Sequence, residues 1–157
     1  MPSTPNEVFS TEFPRVRVAA IITKGDEILL VQHLKNGQKT WLLPGGGVDF
    51  GESLPQALER ELEEELCVEA ITGAFALMNE AIDPKGSRHL LQICFHAEIT
   101  RGVPRLGVDP RVVGVAYKPI ADLGGMHFHP AMGAELQEYL SGADNGVARY
   151  LGNIWQD

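Results

Sequence analysis

From Ser53 to Leu66 the chain reads SLPQALERELEEEL, with leucine every fourth residue and glutamate filling most of the second half. At roughly 100° per residue, Leu54, Leu58, Leu62 and Leu66 fall on one stripe about 120° wide, which predicts a helix with a single buried face. Ser53 suits the N-cap, where its hydroxyl can accept from an unpaired amide of the first turn. Pro55 is tolerated in that turn because no intrahelical donor is lost. Glu61, Glu64 and Glu65 occupy an adjoining arc of about 100°, while Glu59 and Glu63 are expected to point to solvent.

Three carboxylates at i, i+3 and i+4 repel one another, at a few tenths of a kcal/mol per exposed pair and more beside a buried face. A helix shaped by stability alone would place a lysine four residues after Glu61; this one places Glu65. A hard divalent cation would make sense of the arrangement, since Mg²⁺ accepts carboxylates together with water and phosphate oxygens. On the helix alone, a solvated run of good helix formers accounts for the glutamates equally well. Gly45, Gly46 and Gly47, which follow Pro44, shift that balance. Glycines let backbone amides and carbonyls approach a ligand closely, and a carbonyl from this turn is a candidate further ligand.

Gly46 is followed after five residues by Glu52, and seven more lead to Arg60-Glu61-Leu62-Glu63-Glu64-Glu65-Leu66-Cys67-Val68. This run resembles the box of the Nudix hydrolase family, G-x5-E-x7-R-E-U-x-E-E-x-G-U, where U is bulky and aliphatic. Trp41, Leu43-Pro44-Gly45-Gly46 and Gly51-Glu52-Ser53 are also similar to the family. The one departure is Cys67, where the family has its last glycine. That position lies at the helix C-terminus, where glycine relieves left-handed strain, so the substitution bears on the cap and not on the chemistry.

The resemblance implies that Glu61, Glu64 and Glu65 coordinate Mg²⁺ or Mn²⁺, with the Gly45 carbonyl as a further ligand. Arg60 would orient the box glutamates and counts with Glu64 and Glu65 as catalytic machinery. Glu52 and Gly46 would be supporting residues around them. The implied substrate is a nucleoside diphosphate derivative such as a nucleoside triphosphate, dinucleoside polyphosphate or nucleotide sugar. Water attacks phosphorus and the anhydride breaks, the cation neutralising phosphate charge. Some relatives add an acid from a later loop. Val112 to Tyr117 supplies none; Asp109, Glu80 and Glu98 are the alternatives, and a base within the box, Glu64 or Glu65, is favoured. The implied fold is an α/β/α sandwich around a mixed sheet.

The rest of the chain reads as α+β, with more strands than helices. Strands are expected at Arg15–Thr23 and Glu27–His33, paired as a hairpin, and at Trp41–Leu43, Val68–Ala81, Arg88–Thr100 and Arg111–Tyr117. Leu34–Thr40 and Arg101–Pro110 are expected as loops and Pro119–Leu123 as a helical turn. A second helix is expected at Pro130–Leu140, burying Ala134, Leu136, Tyr139 and Leu140. Ser141–Asp157 carries no clear pattern. The whole, residues 1–157, reads as one domain, with residues 1–14 a flexible or loosely packed segment lacking the basic start and apolar stretch of a signal peptide.

A net charge of −8 argues against stable nucleic-acid binding, which needs clustered Lys and Arg, but permits a small phosphorylated ligand when a cation lies between. No apolar run approaches the ~20 residues a membrane helix needs. Cys67 and Cys94 form no framework and read as thiols in a reducing cytoplasm. Oligomeric state is open, a homodimer included. Lys85, Arg88 and His89 are candidate phosphate contacts, as are His33 and Lys35. The His127/His129 pair, lacking a third ligand, reads as surface or packing. Trp41, Phe75 and Phe128 read as packing before base stacking. Two other functions fit the fold: a non-catalytic nucleotide-binding module, against which the intact box glutamates stand, and an isopentenyl diphosphate isomerase, for which further Cys, His and Glu ligands cannot be assembled.

Overall fold

The computed structural model describes residues 13–142 and 146–156; most of the 1–14 segment lies outside the described residues. The strands are β1 (Arg15–Ile21), β2 (Thr23–Lys24), β3 (Glu27–Lys35), β4 (Gln38–Leu42), β5 (Gly45–Gly47), β6 (Glu69–Ile82), β7 (His89–Arg101), β8 (Val112–Pro119) and β9 (Arg149–Asn153), and the helices α1 (Leu54–Leu66) and α2 (Gly133–Leu140). A 3-10 turn covers Ile120–Gly125. One sheet runs β5-β1-β7-β6-β9 and is mixed, because β1/β7 and β6/β9 pair parallel. In the second, antiparallel sheet β3 pairs with β2, β4 and β8.

Alternation along the central strands builds two cores. Val18 and Ala20 of β1, with Leu29 and Val31 of β3, pack with Leu58, Leu62 and Leu66 of α1. The intervening Ala19, Ile21, Ile28 and Leu30 pack with Met132, Leu136 and Tyr139 around α2. Successive side chains on a strand point to opposite faces, so the two helices cover opposite faces of the strands, the layering expected of the α/β/α sandwich. The three leucines are fully buried on α1, worth about 1.5–3 kcal/mol each.

Several expectations are corrected. The β1–β3 hairpin does not form: the first strand breaks at Ile22, only β2 pairs back on β3, and β1 instead runs parallel to β7. Leu34–Thr40 is no loop but the tip of the β3–β4 hairpin, turning at Asn36-Gly37, both with positive φ. That dipeptide is a strong hairpin signal. The three glycines form a short strand against β1. The second helix starts only at Gly133, and Ala134 is exposed where Gly133 is buried; a Cβ at Gly133 would overlap the Leu123 carbonyl. The tail contributes β9, an added edge strand beside β6.

Candidate active site

Helix α1 starts on a full capping box: Gln56 N donates to Ser53 Oγ at 3.2 Å and Ser53 N donates to Gln56 Oε1 at 3.0 Å. Two turns on, Arg60 ties the acidic residues together. Its Nε and Nη2 donate to the two oxygens of Glu52 at 2.7 and 2.8 Å, Nη2 also to the Gly47 carbonyl at 3.0 Å, and Nη1 to Glu61 at 2.9 Å and Glu64 at 3.3 Å. The bidentate geometry is the strong form of a carboxylate–arginine pair. Hydrogen bonding to Arg60 is the main reason that the Glu52 carboxyl is pulled down to about 2. Arg60 therefore joins the helix to the glycine strand and the loop that follows it.

Glu65 lies on the inner side, only 5% exposed. Its Oε1 accepts from Gly45 N at 3.2 Å. Burial pushes its carboxyl up to about 7, against the opposing pull of Arg17 and the Gly45 amide. Glu61 is half-buried beside Gly46, where a Cβ would overlap its carboxylate. Glu64 is at the solvent edge. Among the described residues no three acidic, His or Cys side chains close around one point, because Glu61 and Glu64 turn to Arg60. The donor set still fits a divalent cation: hard oxygens on one arc, one of them a buried carboxylate whose charge is under-compensated, and a glycine that clears space beside another. Gly45 reaches Glu65 through its amide. Glu59, expected in solvent, is half-buried and accepts from Thr72 Oγ1 at 3.2 Å.

The helix ends at Cys67 with φ 58° and ψ 35°, the left-handed geometry that the family's glycine would occupy. The Arg101–Pro110 loop closes this end: Arg105 N donates to the Leu66 carbonyl at 3.1 Å and Gly107 N to the Glu65 carbonyl at 2.9 Å. A Cβ at Gly107 would overlap the Glu64 carbonyl oxygen. The loop's glycines signal tight turns, but its docking on α1 is visible only in three dimensions.

The later acids separate. Asp109 is gripped by Arg111, at 3.0 Å from Nε to Oδ1 and 2.7 Å from Nη2 to Oδ2, and that pairing lowers its pKa. Glu80 is taken by His89 at 2.9 Å and Tyr150 at 2.8 Å, and Glu98 is exposed on β7. His89 is therefore engaged at the β6–β7 pair; Lys85 is exposed in the turn organised by Asp83. Arg88 is half-buried, its carbonyl accepts from Asp83 N at 2.8 Å, and its side chain has no hydrogen-bond or ion-pair partner among the described residues. His33 is half-buried with an unpartnered Nε2. His127 and His129 hold the loop against β4: Trp41 N donates to the His127 carbonyl and His129 N to the Trp41 carbonyl, each at 2.9 Å. Phe128 is core, Phe75 packs edge-on to Phe95, and Lys118 lies over the Trp41 ring.

Sequence reading missed Arg17, Gln92 and Asn79. Arg17 Nη1 donates to Gln92 Oε1 at 2.7 Å, Nη2 to the Leu43 carbonyl at 2.9 Å, and Gln92 Nε2 to Asn79 Oδ1 at 3.0 Å. The available signal was polarity in otherwise apolar strands: RVRVAAI and LLQICF.

Residues 13–139 match a family model described as the NUDIX domain. The chain is 33% identical over 103 residues to the ADP-ribose pyrophosphatase of Methanocaldococcus jannaschii, covering 62% of this chain and 59% of that protein. It is 45% identical over 60 residues to the RNA pyrophosphohydrolase of Ruthia magnifica subsp. Calyptogena magnifica, covering 38% of this chain and 32% of that one. The chain spans about half the length of the curated relatives it matches. Its fold is similar to the crystal structure of a MutT NUDIX hydrolase from Burkholderia pseudomallei, with a TM-score of 0.71 and 28% identity, covering 81% of this chain and 98% of that one.

Proposed function

The chain belongs to the NUDIX domain family, and from that premise we propose that it is a metal-dependent hydrolase of a phosphoanhydride bond in a nucleoside diphosphate derivative. The observation that carries the reading is the buried, under-compensated Glu65 beside Gly45, on the helix whose Arg60 holds Glu52, Glu61 and Glu64. Glu61, Glu64 and Glu65, with the Gly45 carbonyl, are the proposed ligands of Mg²⁺ or Mn²⁺. Such a cation, when bound, neutralises phosphate charge and makes water a better nucleophile.

Arg60 fixes two of the carboxylates and, through Gly47, the glycine strand; Glu52 holds Arg60 in place. Gly46 leaves room for Glu61. Glu64, at the solvent edge and held by a single 3.3 Å contact, is the box glutamate proposed as base, taking the proton as a water oxygen bonds to phosphorus. The phosphorus–oxygen anhydride bond breaks and its electron pair stays on the leaving phosphate oxygen. Among the predicted substrate contacts the reading favours Arg88, whose guanidinium has no partner among the described residues while His89 is bound to Glu80.

The relatives' names span ADP-ribose, RNA and CTP, so the substrate is best found by a panel. Nucleoside triphosphates, dinucleoside polyphosphates, nucleotide sugars and ADP-ribose, each with Mg²⁺ or Mn²⁺, should include one hydrolysed at an anhydride bond with products containing phosphate or pyrophosphate ends. No turnover of any member with either metal would overturn the reading.

A further inference from the structure

In a chain of net charge −8, basic groups gather where β1, the start of β7, the end of β4 and the 127–130 loop meet. Arg17 bonds to the Leu43 carbonyl, and His129 bonds through its amide to the carbonyl of Trp41, two residues earlier. Parallel pairing sets Arg17 opposite Gln92 and Arg15 opposite Leu90. Arg88 lies just before β7 begins at His89, four residues before Gln92, and its carbonyl accepts from Asp83 N at 2.8 Å, so the alternation of β7 carried one residue further sets it on the Gln92 face. The charges interact: after desolvation, Arg88 is among the groups that lower both Arg17 and His129. Burial holds His129 down to about 4, so it is neutral at pH 7 and leaves the positive charge to the arginines.

Arg17 is held in one orientation by a relay. Arginine only donates, so the Gln92 oxygen must face it and the Gln92 amide must face Asn79. Gln92 and Asn79 are 1% and 0% exposed, and Asn79 Nδ2 has no partner among the described residues. An unsatisfied buried donor costs about 1–3 kcal/mol, a cost carried by the arrangement that aims the guanidinium. The carbonyl and the glutamine engage one nitrogen each, which leaves part of the five-donor fork uncommitted. Arg17 also feels the charges of Glu65 and Glu61. Two neighbouring arginines with few acceptors repel each other unless an anion comes between them.

We propose that Arg17 and Arg88 form a two-arginine clamp for phosphoryl oxygens of the substrate, beside the carboxylate helix, with the Gln92–Asn79 pair holding Arg17 in position. The ligand class is a nucleoside diphosphate whose phosphates span the clamp and the cation site. The proposal rests on the hydrolase reading for the cation site but not for the clamp.

The test compares wild type, Arg17→Lys and Arg88→Gln by calorimetry, with ADP as probe in the presence of Mg²⁺ and with Mn²⁺ alone as a second probe. Lysine keeps the charge but loses the planar fork. Both variants should bind ADP at least ~10-fold more weakly, as expected for loss of a charge-assisted contact, with Mn²⁺ affinity within about twofold of wild type. Arg88→Gln, altering a half-buried side chain without hydrogen-bond or ion-pair partners among the described residues, carries the test if Arg17→Lys fails to fold. Unchanged ADP affinity in Arg88→Gln, no ADP binding by wild type, or equal loss of Mn²⁺ and ADP affinity would overturn the clamp. Arginine-dependent ADP binding with no Mn²⁺ binding would keep the clamp and overturn the hydrolase reading.

Discussion

The amide of Gly45 donates to Oε1 of Glu65 across 3.2 Å, joining the glycine strand to a carboxylate that burial has raised to about 7. Glutamine at this position keeps the acceptor and removes the charge. Glu65→Gln should therefore stay folded while turnover falls at least ~10²-fold, the scale expected for loss of charge stabilisation in a transition state. Glu64→Gln should fall similarly. Steady-state rates with circular dichroism check both; near wild-type rates in the pair would remove the proposed site.

Adding cation should stabilise the fold. Among the described residues Glu65 is buried without a direct positive partner, and Glu61 and Glu64 share one arginine nitrogen. A ligand that binds only the folded state raises the melting temperature with concentration. Thermal melts across millimolar Mg²⁺ or Mn²⁺ should rise steadily in wild type and less in Glu65→Gln. A flat wild-type titration would count against a carboxylate cation site.

Gly45 and Gly46 should separate stability from activity. A Cβ at Gly45, where φ is 154°, would overlap the Val18 carbonyl oxygen, which is backbone and cannot step aside. At Gly46 it would meet only the end of the Glu61 side chain. Gly45→Ala should cost more than ~2 kcal/mol in denaturant melts, through strain and overpacking. Gly46→Ala should cost less than ~1 kcal/mol yet slow turnover at least ~10-fold by displacing Glu61. Equal effects on both quantities would contradict the assignment.

Cys67 occupies the left-handed region at φ 58°, where a side chain costs on the order of 1 kcal/mol. The thiol is half-buried, and its one polar contact among the described residues is a 4.0 Å approach to the Leu106 carbonyl. Cys67→Gly should stabilise by a few tenths to ~1 kcal/mol, the looser unfolded chain offsetting part of the gain, with turnover nearly unchanged. Destabilisation in denaturant melts would mean that the thiol's packing outweighs the backbone strain.

Burial of His129 gives a pH signature. Its folded pKa, about 4, lies below the ordinary histidine value of about 6.5. The unfolded chain therefore takes up the proton first, so this contribution to stability is complete above pH ~6.5 and is lost as pH falls toward 4. Allowing for its partial exposure, the loss is about 1–2 kcal/mol. His33 and His96 are shifted the same way, again mainly by burial. Melts of His129→Gln between pH 7 and 4.5 should show a shallower decline than wild type; identical slopes would exclude His129 as a source.

Local order alone determined the heart of the α1 segment. Leucines four apart and a serine before the first turn depend on helix geometry and nearest neighbours and were legible in the chain; the parts of Glu52 and Arg60 and the left-handed position at Cys67 were legible only through the resemblance to the family's box. The Asn36-Gly37 turn was equally legible, although it reads as a loop until its flanking strands are seen to pair. Tertiary structure alone decided that β1 takes β7 as its parallel partner, that Gly107 closes the end of α1, and that Arg17, Gln92 and Asn79 meet. Arg17 and Gln92 stand 75 residues apart in sequence. Parallel pairing has no short turn to announce it, and one polar residue in an apolar strand shows its use only when sheet register sets its partners beside it.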